Sequence, residues 1–406
     1  MNNLKFIVFI FLSLTVNAQQ LYFPGQDWEE RKPESLGFSN EKIRGAIQFA
    51  IDNENSVNRN LKNAIISAFG YEPGFEIKGP TKPRKGPNGL IIKDGYIIGK
   101  WGDVSRVDMT FSVTKSYLST VAGLAYQKGL FNLNEKINTY INDGKFSSDH
   151  NKEITWHHLL NQSSQWKGSL FGTFDWADRP TRNLSIEELK TQEIAKPGKA
   201  YKYNDVRVNL LSFSLLKILE EPLPEILKRE IMDPIGASSS WRWYGYEKSK
   251  LNLNGSVVSS VSGGGHFGGG LFINSLDHAR FGLLFLNKGK WKNKLLLSPN
   301  WIELVQVPSK NNESYGYMWW LNKGERKWES LPENIYYGAG FGGNYVVVIP
   351  DYKKVLTIIK KRGRVSKKQL IGELNWGKQF KFGRYRNRLR LNERIRFTND
   401  GYEWIG

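Results

Sequence analysis

Apolar positions along this chain change their spacing several times, and each change marks an element. Between Leu36 and Ile51 they fall at 43, 46, 47, 50 and 51, the stripe of an amphipathic helix, with Ser39 placed as its N-cap. Pro73–Pro87 is rich in Gly, Pro and Lys and reads as a loop. Two apolar runs follow, Gly89–Lys93 and Gly95–Gly99, joined at Asp94-Gly95, a pair that suits the left-handed backbone of a tight hairpin. Phe111–Leu130 is apolar over the length of a helix, and the stretch from Leu130 to Pro308 mixes helical patterns with loops rich in Gly, Ser, Asn and Trp. Strand-like runs return at Tyr315–Leu321, at Asn344–Ile349 and, past the turn at Pro350-Asp351, at Val355–Ile359. Leu370–Phe380 has a helical pattern, and Phe382–Gly406 has no assignable one. This order predicts an α+β fold: an antiparallel sheet flanked by helices and completed from both chain ends, with a mostly helical insertion. An active site in such a fold lies at the seam between sheet and insertion.

The first residues stand apart from that pattern. Lys5 is the single charge before Phe6–Val16, an apolar run that ends at Val16-Asn17-Ala18. Residues 1–18 are therefore expected to be a signal peptide cut near Ala18, which puts the mature protein in the periplasm or outside the cell. The run is too short to span a bilayer and no other stretch reaches that length, so no integral membrane span is expected. The main domain is expected at 19–362, followed by a basic, aromatic extension at 363–406.

Cysteine is absent, which excludes disulfides, thiolate nucleophiles and thiolate metal sites. The five histidines, His150, His157, His158, His266 and His278, lack an H-E-x-x-H spacing, so neither a metal nor another cofactor is expected. The formal charge of +19 lies largely in Lys353–Lys368 and Lys378–Arg396. Export argues against nucleic acid as its partner. A substrate that is a small molecule or derives from the cell envelope or polysaccharide suits it better, as does a plain solvated basic face.

Candidate chemistry centres on Ser112-Val113-Thr114-Lys115, where a three-residue spacing on a helix sets an ammonium beside a hydroxyl. A serine is a poor nucleophile until a base takes its proton. A helix start also favours the oxyanion of acyl transfer. The same spacing occurs at Ser39/Lys42, Ser164/Lys167 and Ser214/Lys217. Those serines fall at a surface N-cap, in the polar run Asn161–Gln165 and in mid-helix within Val208–Leu219, whereas Ser112 follows an extended segment and starts an apolar helix.

Several segments then resemble, in order, the serine β-lactamase and penicillin-binding protein superfamily, and within it the class C β-lactamase and esterase-like branch. Phe111–Ser116 resembles the nucleophile motif, Gly129–Asn134 the turn after that helix, and Ile154–Leu160 the next helix start. Pro197–Asp205 is similar to the segment carrying the Tyr-x-Asn motif; Gly268–Leu271, Asp277–Gly282 and Leu297–Pro299 also match. The likeness runs from Leu36 to Lys361 and implies a β-lactamase/transpeptidase-like fold.

On that resemblance Ser112 is the nucleophile, and Tyr203 takes its proton with help from Lys115, whose ammonium stabilises a phenolate. Tyr201 faces the other way if the segment is extended. Asp205 stands where the family has Asn; a carboxylate there holds Lys115 in place and keeps it charged, which moves the base role toward Tyr203. The third motif, Lys-Thr-Gly or His-x-Gly in the family, is here Tyr337–Gly343 without a cation. Its glycines let a backbone N–H reach substrate, and the second oxyanion donor is Gly340 or Phe341. The missing cation favours an esterase or amidase over a β-lactamase or D-amino-acid peptidase of peptidoglycan-related substrates. A silent binding protein for cell-wall or polysaccharide fragments is the non-enzymatic alternative. The cluster Gly263–Gly270 lacks the lysine of a phosphate loop and reads as a tight turn near the site. Trp166, Trp176, Trp241 and Trp243 read as core packing before cleft lining.

Overall fold

The computed structural model describes residues 21–54, 56–359, 394–398 and 401–405. The expected signal peptide and the expected helix at Leu370–Phe380 lie outside the described residues. The chain forms two compact units, Met1–Asn375 and Trp376–Gly406.

The first unit opens with α1 (Asn40–Asp52), capped by the Ser39 hydroxyl as expected, and α2 (Leu61–Phe69). β1 (Asn88–Lys93) and β2 (Tyr96–Trp101) form the expected hairpin, with φ of 51° at Asp94 and 91° at Gly95. β3 (Asp108–Met109) leads through a 3-10 turn, Phe111–Val113, into α3 (Thr114–Gln127). The insertion continues through α4 (Trp156–Leu160), a small hairpin of β4 (Ser169–Leu170) and β5 (Thr173–Phe174), α5 (Ile186–Thr191), α6 (Asp205–Leu219) and α7 (Leu223–Leu227). Then come β6 (Arg242–Leu253), β7 (Ser256–Val261), β8 (Gly270–Ile273) and α8 (Ser275–Leu286). A second small hairpin, β9 (Lys290–Trp291) and β10 (Lys294–Leu295), precedes α9 (Pro299–Leu304). β11 (Trp320–Leu321), β12 (Tyr336–Gly340), β13 (Asn344–Ile349) and β14 (Lys354–Ile359) complete the unit.

Six strands form one antiparallel sheet in the order β11-β12-β13-β14-β1-β2. Asn88 stands opposite Ile359, so the sheet is completed from both sides of the insertion, as the pattern predicts. Successive side chains feed two cores. Leu90, Ile92, Val346, Val348 and Val355 pack with α3 and α8, while Ile91, Val347, Ile349 and Leu356 pack with Ile43, Ala46 and Ala50 of α1. With both faces covered, these strands read as nearly continuous apolar runs. Gly282 lets α8 lie close on the sheet, since a Cβ there would stand 2.5 Å from Val355.

The structure adds to one expectation and corrects another. Besides its helices the insertion contributes to a second antiparallel sheet, β3-β8-β6-β7. Its long hairpin turns at Asn254 and Gly255, and a register shift between Gly245 and Lys250 breaks the period of two that would have revealed β6. The run Tyr315–Leu321 pairs with β12 only through Trp320 and Leu321; Tyr315 and Trp319 are instead buried in packed aromatic surroundings. Trp166, Trp241 and Trp243 are core residues, and Trp176 is half-buried and stacked on Phe174.

The second unit holds an antiparallel hairpin, β15 (Arg394–Thr398) and β16 (Gly401–Ile405), within the segment that has no assignable pattern. Among the described residues, no helix is long and apolar enough to cross a membrane.

Candidate active site

Two helix starts build the site. Phe111 takes a left-handed φ of 51°, unusual for an aromatic residue, and this tight turn puts half-buried Ser112 just ahead of α3. α3 is buried on every side from Thr114 to Ala125, which explains its apolar sequence and its uncharged first turn except for Lys115. Lys115 lies one turn beyond Ser112, and its Nζ is 3.0 Å from Ser112 Oγ.

The second start is that of α6. Asn204 is its N-cap and accepts from the Arg207 N–H, while Asp178 Oδ2 accepts the N–H groups of Asp205 and Val206. This double capping sets Asp205 into the interior. Its Oδ1 lies 2.6 Å from Lys115 Nζ, and its Oδ2 accepts the His266 N–H at 3.1 Å. Burial works against the Asp205 charge, but Lys115, Arg179 and His266 outweigh it and hold Asp205 well below the usual carboxylate range. A buried ion pair of this kind is costly to break, because either partner left alone is an uncompensated charge.

Tyr203 sits one residue before that cap. Lys115 Nζ lies 4.6 Å from the centroid of its ring, so the two meet through the ring face, and Trp320 stacks on the ring at 5.7 Å. The expectation that Tyr201 turns the opposite way is not met: both tyrosine rings meet Tyr315 edge-on, at 5.4 Å for Tyr201 and 6.1 Å for Tyr203.

The opposite wall is β12. Its partner β11 reaches only Tyr336 and Tyr337, so from Gly338 onward the outer edge of β12 lies against the turn that carries Ser112. No side chain fits between them, since a Cβ on Gly340 would stand 2.1 Å from the Thr110 carbonyl oxygen, and one on Gly338 would stand 3.0 Å from Ser116 Oγ. The next residue, Phe341, packs on Phe111 and Phe69. Both candidate oxyanion donors, Gly340 and Phe341, therefore lie beside the serine turn. Arg84 reaches the turn beyond them, but it is buried and donates to the Gly342 carbonyl at 3.0 Å.

The glycine cluster forms the floor, as a tight turn beside the site. Gly264 touches the ion pair so closely that a Cβ would stand 2.2 Å from both Lys115 Nζ and Asp205 Oδ2. Its carbonyl oxygen lies 3.5 Å from Ser112 Oγ. Sequence reading missed Gly264 as a site residue, together with Arg179, Asp178, His266 and Glu72. Glu72, Asp178 and His266 are buried with donor atoms within 4.8 Å of one another, a set that has the chemistry of metal ligands. Its donors are already engaged: His266 Nε2 lies 2.7 Å from Glu72 Oε2, and the cation among them is the Arg179 guanidinium, on Asp178 Oδ1 at 2.5 Å and His266 Nδ1 at 3.0 Å.

Comparison with known proteins identifies the family and the fold. The family profile described as Beta-lactamase matches residues 91–369, more than half of the chain, and the chain belongs to that family of serine hydrolases. No curated protein sequence matches it. Among solved structures, EstCE1, a hydrolase with promiscuous acyltransferase activity, superposes with a TM-score of 0.56 at 14% identity, covering 84% of this chain and 98% of that one. A family VIII carboxylesterase gives 0.54 at 15% identity, covering 82% and 96%. A D-stereospecific amidohydrolase from Streptomyces sp. gives 0.52 at 14% identity, covering 84% and 99%. At these identities the likeness establishes the fold alone, a β-lactamase/transpeptidase-like fold.

Proposed function

We propose that this protein is an exported serine hydrolase that cleaves an ester or amide through an acyl-enzyme on Ser112. The observation that carries the reading is the run of contacts Ser112 Oγ–Lys115 Nζ–Asp205 Oδ1, at 3.0 and 2.6 Å, with the Tyr203 ring over the ammonium. Lys115, paired with a carboxylate, serves as the fixed cation of the site. Tyr203 takes the serine proton as the hydroxyl attacks the carbonyl, and returns it to the leaving group. Backbone N–H groups of Ser112 and of Gly340 or Phe341 hold the oxyanion. Water then releases the acyl group by the same proton path in reverse.

Substrate choice follows from the β12 wall. It presents backbone and aromatic rings with no cation, so a β-lactam carboxylate would be buried there unpaired, at a cost. Neutral esters and amides fit better, and the carboxylesterase and the amidohydrolase of similar fold are in keeping with this. Export rests on the Lys5/Phe6–Val16/Ala18 pattern, and N-terminal sequencing of exported protein should find Gln19 first. The catalytic reading is tested by a fluorophosphonate probe: it should label the wild type and fail to label Ser112→Ala. A wild type that stays unlabelled while folded would favour a silent binding protein.

A further inference from the structure

We infer that Arg179 is a positioning residue, the joint that holds Asp205 and Tyr203 in register with Ser112. The inference rests on the catalytic reading above. Arg179 lies just before Pro180 in the loop after β5, and its backbone takes a left-handed φ of 49°, rare for a side chain with a Cβ. That conformation is held by its neighbour Asp178 and by groups from distant parts of the chain. The Arg179 N–H donates to Glu72 Oε1 at 3.3 Å, Nη2 to His266 Nδ1 at 3.0 Å and Nη1 to Asp178 Oδ1 at 2.5 Å. Nη1 also lies 3.5 Å from Asp205 Oδ1, the oxygen that Lys115 shares, and the guanidinium carbon lies 5.1 Å from the centroid of the Tyr203 ring.

One residue thus ties together the end of α2, the glycine floor, the cap of α6 and the proposed base. Tyr203 is covered by two cations, Lys115 and Arg179, and by Trp320. Without Arg179, three buried carboxylates (Glu72, Asp178 and Asp205) would face Lys115, His266 and, at longer range, Lys202 and Arg207. Lys115 would then be the one ammonium in contact with them, free to shift toward the excess charge and away from Ser112. The alternative, that Arg179 recognises an anionic substrate, is weaker: a guanidinium already shared by two carboxylates has little attraction left for a third.

The test compares wild type, Arg179→Ala and Arg179→Lys on a neutral ester, p-nitrophenyl butyrate, and an anionic one, the p-nitrophenyl monoester of glutaric acid. Positioning requires kcat of Arg179→Ala to fall by about 10²-fold on both esters with KM within about threefold, and Arg179→Lys to recover part of the loss. The fluorophosphonate labelling rate of Ser112 should fall in step. A loss confined to KM of the anionic ester would overturn positioning in favour of substrate binding, and kcat within twofold of wild type on both would overturn it outright. A readout independent of turnover keeps the two readings apart. Carbon-13 NMR of labelled aspartate should show Asp205 taking up its proton at higher pH in folded Arg179→Ala, because a cation that favours its charged form is gone. An unchanged Asp205 titration would sink the inference even if no ester is hydrolysed; the shift appearing with an unlabelled wild type would sink the catalytic reading instead.

Discussion

Two walls face the same serine and are built on opposite terms. The wall of α3, α6 and the loop after β5 holds Lys115, Asp205, Asp178 and Arg179, every charge answered by another at hydrogen-bond or near-contact distance. The β12 wall, Gly338 to Phe341, holds no charge and hardly any side chain until the aromatic ring of Phe341. Charge on the first wall is spent inside the protein, on holding donors and acceptors still. The second wall has only backbone to offer a substrate, and it is the closeness of Gly340 to Thr110 that brings that backbone within reach. Proton transfer and recognition are thereby separated, and each can be broken without the other.

The largest break comes where the walls meet. Ser112→Ala should remove acyl-enzyme formation altogether, read as loss of covalent labelling in a protein with unchanged circular dichroism. Next come the members of the charged wall. Lys115→Ala and Tyr203→Phe should each lower kcat on a neutral ester by about 10²–10⁴-fold, the usual worth of general acid–base assistance. If the two act as one unit, the double variant should be little worse than the poorer single one. Multiplicative losses would assign them to separate steps, and near-wild-type kcat for folded Tyr203→Phe would remove Tyr203 from the mechanism.

Breaking the uncharged wall should change choice more than rate. Wild type should turn over nitrocefin with kcat/KM well below about 10⁴ M⁻¹s⁻¹, the lower end of ordinary enzymes, while hydrolysing short activated esters. Efficient nitrocefin turnover would show that the cation on this strand is dispensable.

The smallest effect at neutral pH concerns stability, and it separates the charged wall from the rest of the core. His278, buried on α8 with its Nδ1 in hydrogen-bond contact with the Tyr117 hydroxyl at 2.9 Å, is pushed down to about 3 by burial. The unfolded chain protonates it near the ordinary 6.5, so the unfolded state binds the extra proton and stability falls as pH drops from about 6.5 toward 3. The slope is about 1.4 kcal/mol per pH unit for one such group. Asp205 is also depressed, but its contribution is present above the ordinary carboxylate range and begins to fade only near pH 4. Chemical denaturation between pH 7 and 5 should therefore show a shallower slope in His278→Gln and an unchanged one in Asp205→Asn. The reverse would place the acid-sensitive group in the active site.

How much of this was legible in sequence depended on range. Ser39 as a cap, the Asp94-Gly95 turn and the Ser112/Lys115 spacing are local, and each is settled within four residues. β6 was hidden because its bulge breaks the alternation, although Asn254-Gly255 carries the same kind of turn signal as the first hairpin. Tyr315–Leu321 looked like a strand because its rings are apolar, whereas those rings pack in the core and only two residues pair. Arg179 had no local signal at all. Its partners Glu72, Asp205 and His266 lie far from it in the chain, and only the folded arrangement brings them to one guanidinium.

The pairing of β1 with β14 also bears on how the chain is made. The strand at the middle of the large sheet is the last one of that sheet to be synthesised, and it must find a partner laid down near the beginning. Contacts so distant in sequence close slowly, and they cannot begin to close before Lys354–Ile359 has been translated. A polypeptide stopped after Ile349 should accordingly be digested by protease as fast as an unfolded chain; resistance would show that the remaining strands close without it. A sheet fastened by its last strand stays open until that strand has been made, which suits the export proposed above.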